Sequence, residues 1–133
     1  MSLAVVDASV LVAFYAAAEP RRETVAARLA SGDALFAPAH LDAEIVSALR
    51  GLSRPNPALR AAVPGALRHL AGFPLRRMPL APLLPRIWEL RDNLTAYDGA
   101  YAALAERLHG PLITCDAKFA GASGPRCEFE LIT

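Results

Sequence analysis

Four carboxylates, Asp7, Glu44, Asp98 and Asp116, each stand where an apolar segment meets the start or inner face of an expected helix. They are far apart in sequence, and none has a basic partner at helical spacing that would account for it. If the fold gathers such acids into one pocket, they repel one another unless a divalent cation binds among them. The chemistry that group supports is metal-assisted hydrolysis of a phosphodiester.

Each acid also has an ordinary reading. Asp7 directly follows the apolar Leu3-Ala-Val-Val. In open α/β sheets the carboxyl ends of strands form the ligand crevice, yet aspartate also suits the cap of a following helix. Asp116 repeats the arrangement after Leu112-Ile-Thr, and parallel strands that end alike place both ends on one edge of the sheet. Glu44 shares a helix side with Leu41, Ile45 and Ala48, and Ser47 and Ala48 at i+3 and i+4 give it no ion pair. A carboxylate bordering a buried stripe needs a partner, for which a metal ion would serve; otherwise it is an exposed glutamate at the rim. Asp98 closes Thr95-Ala-Tyr-Asp, a capping box with aspartate in place of glutamate, so the helix dipole competes with metal for it. The other acids read as ordinary, Glu89 opposite Arg86 and Glu106 on an exposed helix face among them.

Elements able to position the four acids can be read along the chain. The strand at Leu3–Val6 leads into a helix from Ala8 to about Ala17, and Glu19-Pro20 opens a second helix through Ala30, stopped by Ser31-Gly32-Asp33. A strand at Leu35–Ala37 precedes a helix from about His40 to Leu52, with Leu41, Ile45, Ala48, Leu49 and Leu52 on one face. Ala58–Leu70 is a helix weakened by Pro64 and Gly65, Phe73–Met78 a strand or extended connection, and Pro82 or Pro85 starts a helix through Arg91. Thr95 caps a helix over Ala96–His109; then come the strand Leu112–Thr114, a helical turn at Asp116 and a last strand over Phe129–Ile132. Short apolar strands alternating with helices imply the α/β class: a mostly parallel central sheet of about four to five short strands, flanked by helices on both faces.

A chain of 133 residues is expected to form one domain over 1–133. Its composition, 54% hydrophobic and 20% charged, suits an ordered domain. No apolar run reaches the roughly 18 residues of a membrane span, and Leu3–Ala18 is interrupted by Asp7 and has no basic leader. A cytoplasmic protein with no membrane partner is therefore expected. Cys115 and Cys127 form no CxxC pair, and His40, His69 and His109 show no ligand spacing, so reduced thiols are expected rather than a zinc site. Net charge is only +1, but eight arginines (50, 54, 60, 68, 76, 77, 86 and 91) face one acid, Glu89, between Arg50 and Arg91. They are either a surface for phosphate or a partner, or the solvated faces of helices.

The stretches Val5-Val-Asp7-Ala-Ser9-Val-Leu-Val, Leu41-Asp-Ala-Glu44-Ile-Val-Ser-Ala-Leu-Arg50, Leu94-Thr-Ala-Tyr-Asp98-Gly-Ala-Tyr and Leu112-Ile-Thr-Cys-Asp116 occur in this order over nearly the whole chain. The pattern resembles the PIN domain family, in particular the VapC-type toxins of bacterial toxin–antitoxin pairs. The resemblance implies a three-layer sandwich in which Asp7, Glu44, Asp98 and Asp116 bind Mg²⁺ or Mn²⁺, with Ser9 and Thr114 as supporting hydroxyls. It also implies a homodimer and a cognate antitoxin whose C-terminal tail occupies the active groove. In one departure, Asp116-Ala-Lys118-Phe119 offers no further acid for a second metal.

The resulting expectation is a metal-dependent endoribonuclease toxin, hydrolysing RNA with water to leave a 5′-phosphate and a 3′-hydroxyl. The alternative is a catalytically inactive PIN fold serving as an RNA-binding or protein-interaction module. A phosphatase using Asp7 as nucleophile, like the haloacid dehalogenases, calls for an aspartate where Ser9 stands. A phosphorylated receiver domain calls for adjacent acids after the first strand, whereas Asp7 lies between Val6 and Ala8.

Overall fold

The structure is a computed structural model that describes residues 2–16 and 18–133. Its core is a five-stranded parallel sheet built from β1 (Leu3–Val6), β2 (Ala34–Pro38), β3 (Arg76–Met78), β4 (Leu112–Thr114) and β5 (Phe129–Leu131), in the order β3-β2-β1-β4-β5. Among the described residues seven α-helices complete the fold: α1 (Ala8–Tyr15), α2 (Arg22–Leu29), α3 (Leu41–Ser53), α4 (Pro57–Ala71), α5 (Leu84–Glu89), α6 (Ala96–Leu108) and α7 (Ala117–Ala120).

The strand order explains the two helical layers. The chain moves outward from β1 through β2 to β3, then returns to the other side of β1 for β4 and β5. Because crossovers between parallel strands are right-handed, a reversal of direction sends the connecting helices to opposite faces. Helices α1 to α4 accordingly pack on one another, and α5 packs on α6. The central strands are buried from both sides: Ala4, Val5, Val6, Leu112 and Ile113 are all inaccessible to solvent, as a doubly covered parallel sheet requires.

Several expected boundaries move. Helix α2 begins at Arg22, not at Glu19, because Glu19 and Pro20 lie in the turn before it and the Glu19 carboxylate accepts from the Arg21 amide and guanidinium. The tail of α1 stops at Tyr15, and Ala17 lies outside the described residues. Helix α4 runs unbroken through Pro64. The proline is exposed, so water can satisfy the carbonyl that its missing N–H leaves free. The helix expected from Pro82 or Pro85 is a 3-10 turn over Ala81–Leu83 followed by α5, which ends at Glu89. Helix α6 closes one residue early, with His109 left-handed at φ 55° as its C-cap. Gly110 follows, where a Cβ would meet Leu3 Cδ1 at 2.3 Å, so a larger residue at this passage into β4 would have to displace the Leu3 side chain.

Cys115 is buried and Cys127 half-buried. No helix among the described residues is long and apolar enough to cross a membrane.

Candidate active site

The direction of the chain reverses between β1 and β4, so their carboxyl ends flank the crevice that open α/β sheets use for ligands. Asp7 follows β1 directly, and Asp116 lies two residues beyond β4. Glu44 reaches the same region from the first turn of α3, and Asp98 from the first turn of α6. Their convergence is evident in their electrostatics: the Asp98 carboxyl feels the charges of Asp7, Glu44 and Asp116, and Asp7 feels Glu44.

Asp7 stands at the N-cap position of α1, yet its side chain makes no capping bond, so capping does not explain it. Its Oδ2 instead accepts from the Ser9 hydroxyl at 2.7 Å and from the Thr114 hydroxyl at 2.8 Å. Each hydroxyl is oriented by a backbone amide: Cys115 N–H donates to Ser9 Oγ at 2.9 Å, and Asp116 N–H to Thr114 Oγ1 at 3.0 Å. Asp7 is only 6% exposed. Burial drives its carboxyl above the ordinary range, the two hydroxyls counter that, and the charge of Glu44 adds to it.

Asp98 shows half of the expected capping box. Its amide donates to Thr95 Oγ1 at 3.2 Å, which ties the start of α6. Its carboxyl is pushed up to about 6 by burial first, then by Asp7, Glu44 and Asp116 in turn, against a smaller opposing effect of His40. Asp116 caps α7, its Oδ1 accepting from the amides of Lys118 at 3.0 Å and Phe119 at 3.3 Å.

Glu44 does have helical and tertiary partners, contrary to the expectation from its i+3 and i+4 neighbours. His40 Nε2, four residues before it, lies 3.1 Å from Glu44 Oε1, and the Tyr101 hydroxyl donates to the same oxygen at 2.7 Å. Burial works to raise the Glu44 carboxyl, but these two bonds and the charge of His40 hold it below its usual value. Neither His40 nor Tyr101 is among the site residues expected from sequence. The i−4 spacing is a signal for His40; Tyr101, 57 residues away, has only its place on the buried face of α6. Glu106 also departs from its expected exposed position: it is largely covered, paired with Arg86 at 2.8 Å and accepting the Arg126 amide.

Among the described residues, none of the four acids pairs with a lysine or an arginine. No three His, Cys, Asp or Glu side chains among those residues stand close enough to cage an ion as placed. The acids therefore share a field without closing on a common point. Four acids drawn from separate elements, two of them (Asp7 and Asp98) raised by burial and by neighbouring carboxylates, with no ammonium or guanidinium paired to them, are a donor set suited to a hard divalent cation.

The PIN domain family matches residues 4–124. Ribonuclease VapC12 of Mycobacterium tuberculosis is 40% identical over 118 residues, spanning 85% of this chain and 87% of its own. Ribonuclease VapC3 of the same organism is 42% identical over 118 residues, spanning 89% and 85%. Among solved structures, M. tuberculosis VapC20, a Sarcin-Ricin loop cleaving toxin, superposes with a TM-score of 0.66 at 21% identity over 87% of this chain and 92% of that one. VapBC2 from Rickettsia felis, bound to a DNA fragment from its promoter, gives 0.68 at 14% identity over 98% and 99%. The structural likenesses bear on the fold, and the sequence relatives on the family. The chain belongs to the PIN domain family, on its VapC ribonuclease branch.

Proposed function

We propose that this chain is a metal-dependent endoribonuclease, the toxin of a toxin–antitoxin pair, in which Asp7, Glu44, Asp98 and Asp116 hold Mg²⁺, or Mn²⁺ in its place. The observation that carries this reading is the gathering of four acids from separate elements, none paired with a lysine or arginine among the described residues, with Asp98 in the field of the other three. Groups that repel in this way cost stability, and a bound cation converts that cost into affinity. The kinship with VapC ribonucleases supplies RNA as the substrate class.

Bound among these acids, a divalent cation supplies Lewis acidity, lowering the pKa of a water and neutralising charge on the attacked phosphate. The chain's own residues divide the remaining work. Ser9 and Thr114 fix Asp7 by bonding one carboxylate oxygen, which orients the carboxylate as a ligand. Asp116 is fixed through its α7 cap. Glu44, held ionised by His40 and Tyr101, is better suited to anionic anchoring than to accepting a proton, since a general base works best with a pKa near the working pH.

The proposed partners are RNA, a cognate small antitoxin and a second copy of this chain, in the cytoplasm. The test is Mg²⁺-dependent cleavage of single-stranded RNA by the parent, Asp7→Asn and Asp98→Asn proteins. The expected result is loss of cleavage in both variants with folding retained, and parent products bearing 5′-phosphates and 3′-hydroxyls. Variants that cleave like the parent would overturn the site assignment. A parent with no metal-dependent cleavage would favour the non-catalytic module.

A further inference from the structure

Tyr97 precedes Asp98 in the first turn of α6, yet the residue is 62% exposed while Gly99 to Ala105 further along the helix are buried. One exposed aromatic is unremarkable in itself. This one forms a wall of a cleft of about 480 Å³ lined by His40, Ala43, Glu44, Ser47, Ala48 and Tyr97. Besides Glu44, α3 lines the cleft only with the small Ala43, Ser47 and Ala48, where α6 presents a large ring. Its size lies within the range of small-molecule sites, and its rim includes Glu44, one of the four acids.

The Tyr97 wall is braced from behind. His40 Nε2 lies 3.1 Å from the Tyr97 carbonyl oxygen, and the two rings stand 6.0 Å apart at 44°. Because the bond is to the backbone, it positions the first turn of α6 whatever side chain residue 97 carries. The ring thus has a fixed base, an open face and a place directly beside the acids.

We infer that this cleft receives a nucleobase of the RNA flanking the scissile phosphate, stacked on Tyr97, an inference that rests on the nuclease reading above. Tyr97 adjoins Asp98 in sequence and Glu44 lines the same cleft, so a strand whose phosphate lies among the acids passes beside it. Single-stranded RNA is commonly gripped by stacking splayed bases on aromatic rings. Tyr97 is therefore a substrate-positioning residue that acts on binding and not on the bond-breaking step.

The test measures fluorescence anisotropy of an eight-nucleotide single-stranded oligouridylate and of an abasic ribose-phosphate oligomer of equal length. Each is titrated with the full-length parent, Tyr97→Ala and Tyr97→Phe. The parent should prefer the base-bearing strand by about 5- to 150-fold, the range expected for one stacked base. Tyr97→Ala should abolish that preference with unchanged affinity for the abasic strand, and Tyr97→Phe should keep it. The same preference in Tyr97→Ala would overturn the subsite while leaving the nuclease reading intact. Failure of the parent to bind either strand would overturn both. A Tyr97→Ala protein that keeps the base preference but no longer holds a co-expressed antitoxin would reassign the cleft to a protein segment. Because the ring is exposed, the variant should melt with the parent, and circular dichroism checks that it does.

Discussion

The Thr114 hydroxyl donates to Asp7 Oδ2 at 2.8 Å while accepting the Asp116 amide at 3.0 Å, so one small side chain couples the acids at the ends of adjacent strands. Thr114 is fully buried. Thr114→Val keeps the shape, but it strands the Asp116 amide and removes a donor from Asp7. The expected cost is about 1–3 kcal/mol in urea unfolding. Mn²⁺ affinity should fall by about 10-fold or more, the usual penalty for losing a group that orients a ligand. Calorimetric titration showing the parent's Mn²⁺ affinity would mean that Asp7 needs no such support.

Tyr101 is fully buried, and its hydroxyl bonds Glu44 at 2.7 Å. With His40 it keeps the Glu44 carboxyl below its ordinary value of 4.5 despite burial. A depressed carboxyl contributes stability that is present above the unfolded pKa and lost as pH falls through the lower folded pKa. Tyr101→Phe shrinks that contribution. It should cost about 1.5–3 kcal/mol at neutral pH, as for a bond to a charged acceptor. The acid-unfolding midpoint, followed by circular dichroism, should also move to higher pH; an unmoved midpoint would count against this role for the hydroxyl.

Asp98 behaves in the opposite sense. Its carboxyl rises from 3.8 to about 6 on folding, so the folded protein binds the extra proton between those values. The metal-free protein should therefore lose stability as pH rises from about 4 to about 6, and Asp7, also raised, adds to the same slope. Asp98→Asn should flatten the slope and raise the metal-free melting temperature at pH 7. Mg²⁺ should stabilise the parent at pH 7 far more than at pH 5, where protonated Asp98 no longer needs a cation. Equal Mg²⁺ stabilisation at both values would contradict this account.

The alternation of short apolar strands with helices makes the parallel sheet legible, and the acids following Leu3–Val6 and Leu112–Thr114 mark the edge at which the proposed site lies. What the sequence conceals is mostly partnership at long range. Tyr101 can be read as a core residue, but nothing local shows that its hydroxyl meets Glu44. Asp42 reads as an acid near a helix start, yet it receives the Arg77 guanidinium 35 residues later. His40 is marked only weakly, by its i−4 spacing to Glu44. The favoured helical ion pair places the base after the acid, whereas His40 lies one turn before Glu44, at the N-cap of α3. Pro64 misleads because propensity assigns the cost of a missing helical bond without knowing that water can replace it.

The arginine-rich segment divides into structural and available members. Arg77 donates to both oxygens of Asp42, at 2.9 and 3.0 Å, and to the Leu70 carbonyl at 2.7 Å, which ties β3 to α3 and α4. Arg86 is similarly engaged with Glu106. Arg60 and Arg68, on exposed positions of α4, have no acidic partner among the described residues. Arg77→Met should therefore destabilise the fold by about 1–3 kcal/mol, chiefly through the unpaired Asp42 and Leu70 groups. The double variant Arg60→Gln, Arg68→Gln should stay within about 0.5 kcal/mol of the parent in stability. If both guanidinia bind phosphate, the double variant should also reduce the slope of log affinity for single-stranded RNA against log salt by about 1.4, at about 0.7 for each phosphate no longer neutralised. Parallel salt titrations of parent and variant with identical slopes would remove α4 from the RNA path and leave its arginines as a solvated helix face.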